Sequence, residues 1–218
     1  MKMLGLPSIA LVLALGAPLA AQTPHFGFGV ALSMPTGGFN STGYPPSGSV
    51  TSPSNESYNA TLGGQFTVSF PVDPKLAFRL DIYGQGTDGK DTAAGYATYN
   101  LRHDLLSFGG EAQYFPGTGS AYRHVGGYVL GGLSMDMERF SSSYGDPYWY
   151  GYSTSKTRLG GLVGWGYSFP PYRRWRSNIE IAFHKTLSYS NNTDIQPTPA
   201  SPATPPADFL RVGYGLVF

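Results

Sequence analysis

The side chains of this chain that could do chemistry are ionisable residues placed at alternate positions in otherwise apolar segments. They are Arg79, Asp81, Glu111, Asp136, Glu138, Arg158, Arg176, Glu180 and Arg211. Enclosing a charge inside a protein is costly unless an opposite charge and hydrogen bonds accompany it. Because both signs are present, we expect these residues to share one interior face and to form a network of paired charges.

Specific pairs follow if consecutive segments run antiparallel. Arg79 and Glu111 then lie at about the same distance from the turn that joins their segments, so they should face each other. Asp136 and Arg158 fall at matching heights near the far ends of the next two segments. A third set on one face comprises Arg176, Glu180 and Arg211.

Histidine and serine near the seventh segment raise the alternative of hydrolytic chemistry. The run Phe183-His184-Lys185-Thr186 is followed by Ser188 and Ser190. A constellation of serine, histidine and acid is recognised by geometry rather than by sequence order. The alternation of the segment turns His184 to the same side as Glu180. The 4 histidines of the chain lack metal-ligand spacing, so we expect neither a bound metal ion nor a cofactor.

Composition excludes several classes of protein. The formal net charge is +1, which gives no basic face for nucleic acid. The chain contains 0 cysteines, so disulfide scaffolds and thiolate chemistry are excluded. The 30 glycines, 16 tyrosines and 13 phenylalanines, with only 12% charged residues, favour short strands and turns over helices.

The first residues have the three-part pattern of a secretory signal peptide. Lys2 provides the positive end, Leu4 to Leu15 the apolar run, and small residues lead to a cleavage site near Ala21. The apolar run is too short for a membrane-spanning helix. The sequence therefore predicts a signal peptide over 1–21 and one domain over 22–218.

The remaining chain alternates between apolar residues and small or polar residues with a period of two, which is typical of strands with two different faces. The alternation recurs in segments near 26–34, 58–70, 76–83, 106–114, 124–138, 158–169, 175–184 and 210–218. Since the charges share one face, that face must be the interior, and the aliphatic and aromatic face must be the exterior. The pattern predicts an eight-stranded antiparallel up-and-down transmembrane β-barrel.

The connections between these segments alternate in length. Long polar connections cover 35–54, 85–103, 139–155 and 188–207, and short Pro-marked turns cover 71–75, 116–120 and 170–174. Long loops at one end and short turns at the other are typical of outer-membrane barrels. A soluble lipocalin-like barrel also has alternating strands. It is disfavoured because its interior would be apolar, whereas here the interior face carries the charges.

The last segment, Leu210 to Phe218, ends on phenylalanine and has tyrosine four positions earlier. With the signal peptide and the alternation, the chain resembles the eight-stranded outer-membrane barrels of Gram-negative bacteria, of the OmpX type and the OmpA transmembrane domain. The resemblance implies that Tyr214, Leu216 and Phe218 form a signal for the outer-membrane assembly machinery. It also implies periplasmic chaperones as partners. We expect no peptidoglycan-binding domain after Phe218.

The outer loops are the expected place for recognition. Tyrosine, serine and glycine mixtures are typical of adaptable binding surfaces, and the third long loop supplies Tyr144, Tyr148, Trp149, Tyr150 and Tyr152. We expect a monomeric, non-enzymatic barrel in contact with outer-membrane lipid and lipopolysaccharide. Its expected role lies in membrane integrity, surface interaction or adhesion, with a surface ligand of unknown identity.

Two other functions remain open at this point. Lipid A deacylases are outer-membrane barrels with a His-x-Ser-Asn motif, and the region around His184 resembles it only in part, because Thr186 stands where the motif has serine. A small gated pore is the second alternative, since the lumen of an eight-stranded barrel is just wide enough for side chains to fill.

Overall fold

The structure, a computed structural model, describes residues 23–36, 39–41, 54–92, 98–144, 151–172, 174–187 and 208–218. These residues form an antiparallel sheet that closes into a barrel. Within the described part of the chain, no helix is long and apolar enough to cross a membrane. The expected signal peptide over 1–21 lies outside the described residues, so the domain division at residue 22 stays a prediction.

The described strands are β1 His25–Pro35, β2 Phe39–Ser41, β3 Ser54–Tyr58, β4 Thr61–Pro71, β5 Leu76–Thr92, β6 Thr98–Tyr114, β7 Gly126–Tyr144, β8 Gly151–Ser168, β9 Arg176–Thr186 and β10 Phe209–Val217. The barrel wall consists of β1 and β4 to β10, each antiparallel to its neighbours, and β5 pairs with β6 to complete the ring. The short strands β2 and β3 extend the sheet beside the far end of β5. The expected eight-stranded antiparallel barrel is confirmed.

The first and last wall strands join along their full length. The ladder between β1 and β10 runs from Gly27 opposite Val217 to Pro35 opposite Phe209. Beyond it, Phe26 and Phe218 exchange backbone hydrogen bonds of 3.0 and 2.9 Å. A membrane offers no hydrogen-bond partners to an open strand edge, so this seam is what allows the sheet to exist in lipid.

The two faces of the wall have the composition that the alternation predicts. Outward-facing Val30, Leu62 and Val163 are 57%, 71% and 62% exposed, whereas inward-facing Ala31 and Ser33 are each 1% exposed. The outward face thus carries a belt of large apolar side chains around the barrel. Such an extensive exposed apolar surface marks contact with a membrane or with another protein.

Strands β5 to β8 are longer than the sequence patterns predict. Most residues of the expected long loops over 85–103 and 139–155 belong to these strands, so that prediction is wrong. The β5–β6 ladder continues to Thr92 opposite Thr98, and the β7–β8 ladder continues to Ser143 opposite Gly151. Outside a membrane both faces of a strand can be polar. The period-two apolar signal is therefore lost there although the backbone pairing persists.

The second predicted strand, over 58–70, is interrupted in the structure. β3 ends at Tyr58 and β4 begins at Thr61, although both pair with β5. Asn59 bridges the gap by donating its backbone N–H to the carbonyl of Asp88 at 2.9 Å. The expected loop over 35–54 also contains the short strand β2. The expected loop over 188–207 lies outside the described residues.

The connection between β6 and β7 covers 115–125, which is longer than the expected turn over 116–120. It folds into the mouth of the barrel, where Phe115 and Ala121 are completely buried. The backbone N–H of Ala121 bonds to the carbonyl of Pro74 at 2.8 Å, and Lys75 Nζ donates to the carbonyl of Gly119 at 2.7 Å. We call this connection the mouth cap, because it fills the short-turn end of the lumen.

A closed ladder predicts resistance to unfolding by detergent. Membrane-extracted protein should migrate faster in an SDS gel when it is not boiled, because the intact barrel stays compact. As a matched comparison, Val212→Pro removes one N–H from the middle of β10, where a proline is not tolerated. That variant should migrate at one position with or without boiling. Identical mobilities of boiled and unboiled wild-type protein would contradict the closed barrel.

Candidate functional site

The middle of the lumen holds a group of five charged residues that we call the central ion network: Arg79, Asp81, Glu111, Glu180 and Arg211. They come from β5, β6, β9 and β10, so the network crosses the lumen rather than following one wall. Each of the five side chains belongs to a residue that is at most 5% exposed. Buried charges of this kind persist only with opposite charges and good hydrogen-bond geometry.

Arg79 connects two walls of the barrel. Its Nε donates to Glu111 Oε2 at 2.7 Å, as the facing register of β5 and β6 places them. Its Nη1 and Nη2 donate to the two carboxylate oxygens of Glu180 on β9, at 2.6 and 3.0 Å. A two-point contact between guanidinium and carboxylate is among the stronger hydrogen-bonded arrangements in proteins. Arg79 is therefore satisfied from both sides of the lumen.

Arg211 completes the network from β10. It donates to Asp81 Oδ2 at 3.0 Å and to Glu180 Oε1 at 3.1 Å. Its guanidinium carbon lies 5.0 Å from the centre of the Tyr83 ring, which adds a cation–π contact. The Tyr128 hydroxyl donates to Glu180 Oε2 at 3.1 Å. Glu180 thus accepts hydrogen bonds from both arginines and from a tyrosine at the centre of the lumen.

Two interior glycines make room for the tyrosines of this layer. The Tyr83 ring lies against Gly63, and the Tyr128 ring lies against Gly166, each so closely that any β-carbon at the glycine would overlap it. The Tyr83 hydroxyl is also within 2.5 Å of the Ser33 hydroxyl. When a large side chain lies beside a glycine of the adjacent strand, the narrow lumen can be filled without a void.

A second cluster lies nearer the long-hairpin end. Asp136 Oδ1 accepts a hydrogen bond from the Ser107 hydroxyl at 2.7 Å, and Asp136 Oδ2 lies 3.1 Å from His184 Nε2. The same histidine nitrogen lies 3.2 Å from the Ser134 hydroxyl. A serine, a histidine and an acid therefore meet inside the lumen, on β7 and β9. Asp136 and His184 are 0% and 1% exposed.

This cluster does not have the geometry of a hydrolytic triad. In a triad the acid holds one ring nitrogen of the histidine while the other nitrogen contacts the serine. Here Asp136 and Ser134 both approach Nε2 of His184. Among the described residues, no group of three or more His, Cys, Asp and Glu side chains is arranged to hold a metal ion.

The structure pairs Arg158 differently from what the register alone suggests. Asp136 and Arg158 do lie directly opposite each other on β7 and β8. The Arg158 guanidinium, however, lies 3.3 Å from Glu138, two residues further along β7. Asp136 already has Ser107 and His184 as partners, and the long arginine side chain reaches the diagonal position. His103 Nε2 lies 3.6 Å from the same Glu138 oxygen, with its ring stacked on Phe140 at 4.3 Å.

Arg176 is four positions from Glu180 on β9, so the two residues share a face as expected, but Arg176 does not join the central ion network. Its Nη1 lies 3.5 Å from Nδ1 of His25 at the short-turn end. Four positions along a strand correspond to about 13 Å, which is too far for Arg176 to reach the partners of Glu180. Sharing a face of a strand is therefore not sufficient for contact.

The mouth cap carries a buried histidine just before β7 begins. The Nδ1 atom of His124 lies 2.8 Å from the Ser168 hydroxyl. The ring packs edge-on against His25, Phe115 and Tyr128, with centroids 5.9, 5.5 and 5.7 Å away. Burial, and to a lesser extent His25, lower the pKa of His124 from 6.5 to about 3. His124 is thus neutral over the ordinary pH range.

The interior residues predicted from the sequence were all charged, so several other side chains that fill the lumen were not among them. Tyr83, Tyr128 and Ser134 are inward-facing by the same alternation that identified the charges, so their position was readable from the sequence. Their partners were not, because contacts across the lumen join strands that are not neighbours. His103 lay in an expected loop, and only the extended pairing of β6 places it inside.

The other expected site residues lie elsewhere on the molecule. Tyr214, Leu216 and Phe218 face outward and are 51%, 40% and 42% exposed. Tyr144 and Tyr152 belong to strands β7 and β8 rather than to a loop. That expectation is corrected for the same reason as the loop over 139–155. Tyr148, Trp149 and Tyr150 lie outside the described residues, so their role in recognition stays a prediction.

Comparison with known proteins supports the architecture. Residues 8–203 match the family model of the outer membrane protein beta-barrel domain. A major outer membrane protein from Thermus thermophilus is similar in structure, with a TM-score of 0.54, 14% sequence identity, and coverage of 90% of this chain and 100% of that one. OprG from Pseudomonas aeruginosa gives a TM-score of 0.52 at 9% identity, covering 90% and 96% of the two chains. No curated protein sequence matches the chain.

Arg79 contacts both Glu111 and Glu180, and this predicts how much alanine variants of Arg79 and Glu111 lose in free energy of unfolding, measured in urea. Arg79→Ala should be the most damaging single change, at about 3 to 5 kcal/mol, because breaking a buried pair leaves an uncompensated charge. Glu111→Ala should cost less, since Arg79 keeps its contacts with Glu180. The double variant should lose less than the sum of the two single losses.

The matched control for this cycle replaces Ser69 with alanine in place of Glu111. Ser69 lies opposite Arg79 on β4, but its hydroxyl donates to Gln113 at 3.1 Å. Its effect should add to that of Arg79→Ala. Additive losses for Arg79 and Glu111 would show that these two side chains do not interact in the membrane protein.

The buried His124 predicts a loss of stability on acidification. Its pKa is about 3 in the folded protein and 6.5 when solvated, so the unfolded chain binds a proton more readily. The contribution of His124 is complete above pH 6.5 and is lost as the pH falls towards 3. The free energy of unfolding of His124→Asn should therefore depend less steeply on pH than that of the wild type. Parallel pH profiles would contradict this assignment.

Proposed function

Because the chain belongs to the outer membrane protein beta-barrel domain family, we propose that it is a non-enzymatic, closed barrel that anchors surface-exposed hairpins and loops in the outer membrane of a Gram-negative bacterium. Its role in this proposal is membrane integrity, surface interaction or adhesion, rather than transport through the lumen. The observation that carries the proposal is the obstruction of the lumen at two heights.

The first obstruction is the central ion network. Arg79 and Arg211 both contact Glu180, and together with Asp81 and Glu111 they link four wall strands across the lumen. A permeating ion would have to separate buried pairs that are costly to break. This arrangement supports a structural role for the network rather than a conducting one.

The second obstruction is the mouth cap. Phe115, Ala121 and Tyr128, each 0% exposed, belong to one apolar cluster with Leu130 and Leu162 at the short-turn end. In outer-membrane barrels short turns face the periplasm and long connections face outward. With that orientation, the cap seals the periplasmic end of the lumen, and the long hairpins β5–β6 and β7–β8 project from the cell surface.

The projecting hairpins are the part of the molecule suited to external contacts. In this proposal Tyr144 and Tyr152, at the ends of β7 and β8, and the residues between them contact a surface ligand. Aromatic side chains provide large contact areas at low entropic cost, which supports this assignment. Lipopolysaccharide and outer-membrane lipid surround the belt of apolar side chains, and we propose a monomer.

Export and assembly complete the proposal. A signal peptide over 1–21 directs the chain out of the cytoplasm, periplasmic chaperones hold it, and the assembly machinery recognises Tyr214, Leu216 and Phe218 on β10. The outward direction of these three side chains supports recognition by a partner before insertion. The Phe218 ring also contacts Trp175 and Phe28, with centroids 5.1 and 5.7 Å away.

The alternative function is a lipid A-modifying enzyme, because a serine, a histidine and an acid lie close together inside the lumen. Two features favour the non-enzymatic proposal. His184 faces the lumen, away from lipid, and its contacts with Asp136 and Ser134 converge on one nitrogen. Incubating refolded protein with lipopolysaccharide should release no fatty acid above the level of a His184→Ala variant. Release by the wild type alone would establish the enzyme instead.

Planar-bilayer recording tests the closed lumen directly. Refolded wild-type protein should show little steady conductance, because the central ion network and the mouth cap both block the path. Replacing Arg79, Glu111 and Glu180 with alanine together should raise the conductance only if the mouth cap is also opened, for example by Phe115→Gly. A large open channel in the wild type would overturn the proposal in favour of a pore.

A further inference from the structure

The seam between β1 and β10 can open most easily from its two ends. In the middle of the membrane, backbone amides released from the ladder would meet only acyl chains, and an unpaired amide there is costly. At the level of the head groups water can replace a lost hydrogen-bond partner, so the strands can separate stepwise from that point. The contacts at the two ends of the seam therefore control how long the barrel stays closed.

Hydrogen bonds hold the outer end of the seam. Just beyond the ladder, the backbone N–H of Thr36 donates to the carbonyl of Asp208 at 2.9 Å. The carboxylate of Asp208 accepts a hydrogen bond from the backbone N–H of Thr186, at the end of β9, at 2.8 Å. The outer end of β10 is thereby connected to the strands on both of its sides.

The short-turn end of the seam carries a row of aromatic rings on its outward face. The Phe218 ring stacks on the rings of Phe26 and Phe28, with centroids 6.4 and 5.7 Å away, and both contacts cross the seam. On its other side the same ring packs edge-on against Trp175 at 5.1 Å. The row continues from Phe28 to Phe66 on β4, at 4.9 Å. We call these five residues the aromatic row.

Trp175 is held in place by its own turn. It exchanges two backbone hydrogen bonds with Tyr172, of 3.2 and 2.9 Å, which close the hairpin between β8 and β9. The Phe218 ring therefore lies between a ring fixed by this hairpin and the rings of β1. Stacked and edge-to-face ring pairs are favourable enough for each to slow a separation about two- to tenfold.

From this arrangement we propose that the Phe218 ring is a latch that keeps the seam closed. Its contacts with Phe26, Phe28 and Trp175 must be broken before β10 can leave β1 at the short-turn end. This role is distinct from the assembly signal of the proposed function, because it acts in the finished barrel and requires no partner protein. The ring contacts form only after the two strands have paired. They therefore slow the opening of the seam without speeding its closure.

The test measures the opening of refolded barrels in the absence of any assembly machinery. Full-length mature protein is refolded in detergent micelles and transferred to SDS at a fixed temperature, and the loss of the fast-migrating gel band is timed. Phe218→Leu removes three ring contacts and should open at least about tenfold faster than the wild type. Trp175→Leu removes one of them and should open about two- to tenfold faster. The folding rates of both variants should stay within about twofold of the wild type.

The matched control is Trp165→Leu on β8. Trp165 faces outward and is 48% exposed, close to the 52% of Trp175, but β9 and β10 lie between it and the seam. This variant should open at the wild-type rate. Phe218→Tyr keeps the ring and should do the same. The double variant Phe218→Leu with Trp175→Leu should open about as fast as Phe218→Leu alone, because the contact between these two rings is already lost.

Two results would overturn the inference. One is a wild-type opening rate in Phe218→Leu, which would leave Phe218 as a recognition signal only. The other is an equal acceleration in Trp165→Leu, which would indicate a general effect of outward-facing rings. Should Phe218→Leu fail to refold, a wild-type opening rate in Trp175→Leu would refute the latch. Surface levels in cells test the assembly signal separately, since normal levels of Phe218→Leu would contradict the signal without affecting the latch.

Discussion

In a membrane, the backbone amides of every spanning strand must find hydrogen-bond partners within the protein, because acyl chains offer none. The seam between β1 and β10 satisfies this requirement by joining the two ends of the described chain, from Gly27 opposite Val217 to Pro35 opposite Phe209. Closure then fixes an inside and an outside for each strand. The side-chain alternation, the apolar belt and the interior charges all depend on that division.

A closed ring of eight strands leaves a lumen only as wide as the side chains that fill it. The interior must therefore be packed, and in this protein it is packed largely with polar groups. Glu180 serves both arginines of the central ion network, Tyr83 and Tyr128 lie against glycines, and the mouth cap adds an apolar cluster below. Each buried charge in this network has an opposite charge within contact distance. The narrow lumen thereby becomes a polar core.

The sequence predicted those features that depend on local periodicity. The eight wall strands, their two faces and the facing of Arg79 and Glu111 follow from alternation and from antiparallel neighbours. Contacts across the lumen, such as Arg79 with Glu180, depend on the tilt and stagger of the closed barrel, which no single segment encodes. The outer halves of β5 to β8 were missed because strands surrounded by water need no apolar face. The mouth cap was missed because its burial depends on tertiary packing rather than on turn-forming residues.

The unequal strand lengths bear on how the barrel folds. The ladders β5–β6 and β7–β8 join residues close in sequence and continue to Thr92 opposite Thr98 and to Ser143 opposite Gly151. Forming such local contacts has a low entropic cost of loop closure. Forming the seam costs more, because β1 and β10 lie far apart in the sequence. Loop-closure entropy therefore favours forming the long hairpins first and closing the seam in the last step. Until that step, the edges of β1 and β10 are open to a helper that pairs with strands.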